Sequence, residues 1–71
     1  MEILVFKTNI RYKKNIPAVM PLLNNLKGLV RWNLDFHDAD KILRVEASDL
    51  SSRVVENKLQ EAGYYCEELM E

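Results

Sequence analysis

The chain opens on alternation. In residues 2–9, Leu4, Phe6 and Thr8 fall on one face and Ile3, Val5 and Lys7 on the other, the two-residue period of a β-strand. The outward face keeps two aliphatics that need a cover. Ile16, Val19, Met20, Leu23 and Leu26 then recur at helical spacing and predict a helix over 16–27. Pro17 suits its first turn, where a missing N–H costs nothing, but Pro21 removes a hydrogen bond further in, so a late start or a kink is expected. Gly28 is the expected stop. A second alternating run, 29–36, sets Trp32, Leu34 and Phe36 against Arg31, Asn33 and Asp35. The tetrad His37-Asp38-Ala39-Asp40 reads as a hairpin turn into a third strand, 41–47, with Leu43 and Val45 inward and Ile42, Arg44 and Glu46 outward. Ser48 or Asp49 caps a second helix over 50–62, whose inner stripe is Val55, Leu59 and Ala62 with Val54 beside it, and Gly63 ends it. Residues 64–70 make the last strand, its alternation broken by Glu67-Glu68.

Strand, helix, strand, strand, helix, strand is the order of an α+β, ferredoxin-like βαββαβ sandwich. The expectation is one domain over 1–71, with a four-stranded antiparallel sheet in the order 4-1-3-2 and both helices on one face. That topology brings the loop 10–15, the hairpin 37–40 and the turn at Gly63-Tyr64 to one end. A ligand site on the first loop would recruit from the other two.

Composition narrows the function classes. The chain is 48% apolar and 30% charged, with two glycines and two prolines, a globular balance with no room for a linker. A net charge of −1 argues against nucleic-acid binding, which calls for a strongly basic surface. Residues 1–36 nevertheless carry six Lys/Arg against two carboxylates, and 37–71 carry four against nine. Such polarity can orient a partner on encounter. The longest apolar run, Ile3 to Phe6, is far too short for a signal sequence or membrane insertion, so a cytoplasmic protein is expected. A single cysteine, Cys66, rules out an internal disulfide and a four-cysteine metal site.

The stretch Ile10-Arg11-Tyr12-Lys13-Lys14-Asn15, with Gly28-Leu29, Trp32-Asn33-Leu34-Asp35-Phe36 and Ala62-Gly63-Tyr64, resembles the heavy-metal-associated domain, the module of copper chaperones and metal ATPases. The resemblance runs essentially the whole length of the chain. The family carries Met-x-Cys-x-x-Cys at the first loop, a Gly-Val entry to the second strand, and Gly-Tyr after the second helix. The fold-bearing positions match by side-chain type. Tyr12 and Asn15 stand where the family has its two metal-binding cysteines, so the metal site that the resemblance implies does not carry over. A soft monovalent ion needs sulfur or imidazole, a phenol stays protonated at neutral pH, and Arg11, Lys13 and Lys14 oppose cation capture.

The remaining chemistry is sparse. His37 lies on the hairpin with Asp35, Asp38 and Asp40, a turn histidine beside carboxylates that lack the length and glycine bend of a calcium loop. Cys66 alternates with Tyr64 toward the core and reads as a packed thiol; Met20 and Met70 read as packing residues too. No nucleophile-elbow serine, histidine–cysteine pair or glycine-rich phosphate loop appears, so neither enzyme activity nor a cofactor is expected. Aromatics on two adjacent central strands, which an RNA-recognition sheet requires, are missing. Two binding surfaces remain for a protein partner or for self-association. One is the basic loop, Arg11, Tyr12, Lys13 and Lys14 with Tyr64 alongside, where helix amides and dipole also favour an anion. The other is the open sheet face of Ile3, Val5, Ile42, Tyr65 and Leu69, a contiguous apolar patch. The alternative is a diverged copper or zinc protein with a relocated site that uses His37 or Cys66.

Overall fold

The computed structural model describes residues 1–37 and 39–70. The part of the hairpin reading that rests on Asp38 lies outside the described residues. Four strands, β1 (Glu2–Thr8), β2 (Leu29–Asp35), β3 (Ile42–Ala47) and β4 (Cys66–Glu68), form one antiparallel sheet in the order β2-β3-β1-β4. Two helices, α1 (Ile16–Asn24) and α2 (Ser52–Glu61), complete the βαββαβ order. The expected ferredoxin-like sheet order is therefore the observed one.

The core is the inner face of the sheet closed by one stripe from each helix. Leu4, Phe6, Leu43 and Val45 from the strands meet Val19 and Leu23 of α1 and Val55 and Leu59 of α2. Trp32, Leu34 and Phe36 lean on this cluster but remain half-buried. Thr8 is the one buried polar side chain among the described residues, and both its hydrogen-bonding roles are filled. Its hydroxyl donates to the Lys41 carbonyl at 2.6 Å and accepts from the Ile10 N–H at 3.2 Å. That bond pair ties the first loop to the β2–β3 hairpin.

The helix ends differ from the reading in instructive ways. The first helix stops at Asn24, with Asn25 as its C-cap, rather than at Lys27. Asparagine competes for backbone partners, and Asn25 turns its amide back to donate to the Pro21 carbonyl at 2.8 Å. Gly28 is thus not the helix stop but the entry to β2. Its φ is +95°, and a Cβ there would lie 2.7 Å from the Ser48 carbonyl oxygen, so both conformation and space demand glycine. The second helix begins later than expected. Ser51, not Ser48 or Asp49, caps it by accepting from the Arg53 N–H, and Leu50 is buried before the helix starts. Ala62 is exposed rather than part of the inner stripe. At its far end Gly63, at φ +92°, makes the predicted stop. The Tyr64 N–H reaches the Leu59 carbonyl and the Gly63 N–H the Gln60 carbonyl, the paired bonds of a Schellman turn.

The last strand is three residues long instead of seven. Its free edge is closed from the helix above it. Gln60 donates to the Cys66 carbonyl at 3.0 Å, and Glu56 accepts the Glu68 N–H at 2.8 Å. Two side chains one turn apart on α2 occupy the hydrogen-bonding positions of a fifth strand.

Candidate functional site

The three connections meet at one end, as the topology requires. The Thr8 N–H donates to the Asp40 carbonyl, joining β1 to the hairpin, and the Tyr65 N–H donates to Asn9 Oδ1 at 2.9 Å, joining the last turn to the first loop. Between them lies an open cleft lined by Arg11, Tyr12, Asp40, Lys41 and Tyr65, with Lys7 and Asp40 paired at 3.7 Å across its floor.

The first loop is closed on itself. Residues Lys13–Asn15 form a 3-10 turn that runs directly into α1. Asn15 Oδ1 accepts the Tyr12 N–H at 3.3 Å, while the Asn15 N–H donates to the Tyr12 carbonyl at 2.9 Å. The Ile16 N–H goes to the Lys13 carbonyl, and Pro17 has none to give. Most of the amides expected to greet an anion at this helix start are therefore taken internally. Ile10 is fully buried and anchors the loop from below. The cations stand outside. Arg11, Lys13 and Lys14 are exposed, and the Lys14 ammonium lies 5.1 Å from the centre of the Tyr12 ring, a distance at which a cation is attracted to the ring face.

One expectation about the cleft needs correction. Tyr64 is not beside Tyr12: it is half-buried against the core, because the Schellman turn directs it inward. Tyr65 lines the cleft instead. Its hydroxyl donates to the Glu67 carboxylate, and that bond pushes the phenol above its ordinary pKa. The bond between Asn9 and Tyr65 escaped the sequence reading, which placed Tyr65 on the open sheet face, because the two are 56 positions apart and only strand register joins them.

The other candidates are dispersed. Ile42 does lie on the open face by register, opposite Lys7 and Asp35, yet it is only 5% exposed and offers nothing to a partner. Tyr65 is separated from the remaining aliphatics by the Lys7–Glu67 pair of positions. What survives is a smaller apolar corner in which Ile3, Val5 and Leu69 gather with Met70. His37 is exposed on the hairpin, its N–H donating to Asp35 Oδ1. Cys66 is 1% exposed on the inner face, and burial, aided by Glu56, pushes its thiol up to about 12. Among the described residues no three histidine, cysteine or carboxylate side chains come together as a metal-binding group, and no helix is long and apolar enough to cross a membrane.

No family model and no curated protein matches the sequence. Solved structures do match the fold. A chain from a study of crosstalk between copper(I) and zinc(II) homeostasis superposes with a TM-score of 0.81 at 11% identity, covering 97% of this chain and all of that one. A chain of the Atx1–Cu(I)–Ccc2a complex gives 0.80 at 12% identity over 99% of this chain and 97% of that one. The apo HMA domain of the copper chaperone for superoxide dismutase gives 0.75 at 19% identity, over 96% of this chain and 66% of that one. The architecture expected from the resemblance is thus the one present. At these identities the likeness is one of fold.

Proposed function

We propose that this chain is a single-domain, non-catalytic docking module on the heavy-metal-associated fold, cytoplasmic, whose first-loop end has exchanged a thiolate clamp for a basic surface that contacts an acidic protein partner. The observation that carries the reading is the closure of the loop. Asn15, at the second cysteine position, spends its amide oxygen on the Tyr12 N–H, and Tyr12, at the first, offers its ring to Lys14. Neither is a donor for a soft cation, and the surrounding positive charge repels one. That charge is instead suited to carboxylates, with Tyr12 and Tyr65 supplying the aromatic contact area that interfaces favour. The copper-bearing two-protein complex among the fold neighbours lends the idea that this architecture suits protein contact.

An anaerobic titration with copper(I), then zinc(II), against a chromophoric chelator tests it, with Cys66→Ser and His37→Ala alongside. The expected result is no competition by the protein. Stoichiometric binding abolished by either substitution would replace the docking module with a metal handler that has moved its site.

A further inference from the structure

The sheet has one edge closed and, among the described residues, one edge bare, and the bare edge is complementary to itself. Leu69 donates its N–H to the Val5 carbonyl, so odd residues of β1 bond toward β4 and even ones toward β3. Hydrogen-bonded and non-bonded pairs alternate along an antiparallel ladder. In β3 the groups facing β2 are then those of Ile42, Arg44 and Glu46, in agreement with the Ser48 N–H reaching Gly28 on the same side. Their partners in β2 are Asp35, Asn33 and Arg31. Trp32 and Leu34 therefore turn their N–H and C=O groups to the open edge.

We propose that β2 pairs with β2 of a second copy of this chain, antiparallel about a two-fold axis through Asn33, to make one continuous eight-stranded sheet. In that register Trp32 of each copy is opposite Leu34 of the other, and these are the residues whose backbone groups face outward, so the ladder continues across the junction. On the helix side, two Trp32–Leu34 pairs cover rings and methyls that the single chain leaves half-buried. On the open side Arg31 of each copy meets Asp35 of the other. Within one chain Arg31 is paired with Glu46 at 3.1 Å and Asp35 with Arg44 at 3.8 Å, so the row across the junction alternates in sign. A register moved by two residues loses this match, since it sets Arg31 against Asn33. The bulge between Leu29 and Arg31 lies at the end of the pairing and leaves its centre regular. Charge complementarity of a surface with itself selects a second copy over any other occupant. This surface is separate from the first-loop cleft, and either can fail without the other.

Sedimentation of the intact chain over a wide concentration range tests the proposal, with Arg31→Asp, Asp35→Arg and the double exchange. The unmodified chain is expected to pass from monomer to dimer. Each single variant sets like charges opposite each other twice and is expected to weaken dimerisation about tenfold or more. Relative to the single variants, the double exchange regains dimerisation and the two single variants mixed together form a heterodimer, both short of the unmodified chain because the exchanged charges lie beside Glu46 and Arg44 of their own chains. Amide exchange gives a variant-free reading: protection of the Trp32 and Leu34 N–H groups rises with concentration while that of Arg31 and Asn33 does not change. A chain monomeric throughout, single variants that dimerise normally, or exchange independent of concentration would each overturn the proposal.

Discussion

The two edges of the sheet solve the same problem in opposite ways. At β4 the exposed backbone is satisfied by Gln60 and Glu56 of α2; at β2, among the described residues, no helix side chain hydrogen-bonds the strand backbone, and α1 reaches the strand's side chains instead, with Asn24 accepting the Trp32 indole N–H at 2.9 Å. Unprotected edges are hazards that proteins manage by covering, charging or shortening them. The comparison teaches that protection here is written on the neighbouring helix rather than on the strand. The last strand, three residues long instead of the seven expected and carrying two adjacent glutamates, is nonetheless the better sealed.

The most disruptive way to break the contrast is to detach the helix that does the sealing. Leu59 is fully buried between Glu56 and Gln60, and Leu59→Ala is expected to cost about 3 kcal/mol in urea unfolding. Amide protection should fall at Glu68 before it falls in β2 or β3.

Per pH unit, a smaller effect comes from the thiol. The Cys66 thiol is held neutral to about 12 by burial first and by Glu56 second, whereas an unfolded cysteine ionises near a pH of about 8.5. Above that value the unfolded chain has lost a proton that the folded chain retains, so stability falls with rising pH. The slope is about 1.4 kcal/mol per pH unit through the window between the two values, and it is flat below. Comparing denaturation of the native chain and Cys66→Ala across that range isolates the effect; equal slopes would show that the thiol is not sealed.

The smallest effects separate the edges most directly. Gln60→Ala leaves the Cys66 carbonyl to water and is expected to cost about 1 kcal/mol. Arg31→Ala, which removes only an exposed ion pair on β2, should change monomer stability by no more than about 0.5 kcal/mol. Parallel thermal melts at a concentration where the chain is monomeric decide between them.

Much of this architecture was legible because its signals are local. Gly63 stops a helix wherever it follows one, and the Trp32-Leu34-Phe36 alternation fixes which side of β2 faces the core. The errors came where distant backbone decides. Gly28 is glycine because of Ser48, twenty residues on, so reading it as the end of α1 found the right residue and the wrong reason. Ile42 alternates outward and yet is buried, which period alone does not reveal. At the site, the identities of Tyr12 and Asn15 could be read directly. The replacement of Tyr64 by Tyr65 at the cleft could not, since it depends on how the turn after Gly63 swings the following side chain.

The Asn15 bond to Tyr12 also bears on how fast and how tightly the first loop engages anything. A thiolate clamp has to open to receive and release its cargo, and ordering a loose loop on contact subtracts from affinity. A turn already latched by its own amide holds Arg11, Tyr12 and Lys13 on a rigid frame, so little freedom remains to be lost when a partner arrives. Under the proposed docking role, the same latch would present a partner with one shape to fit.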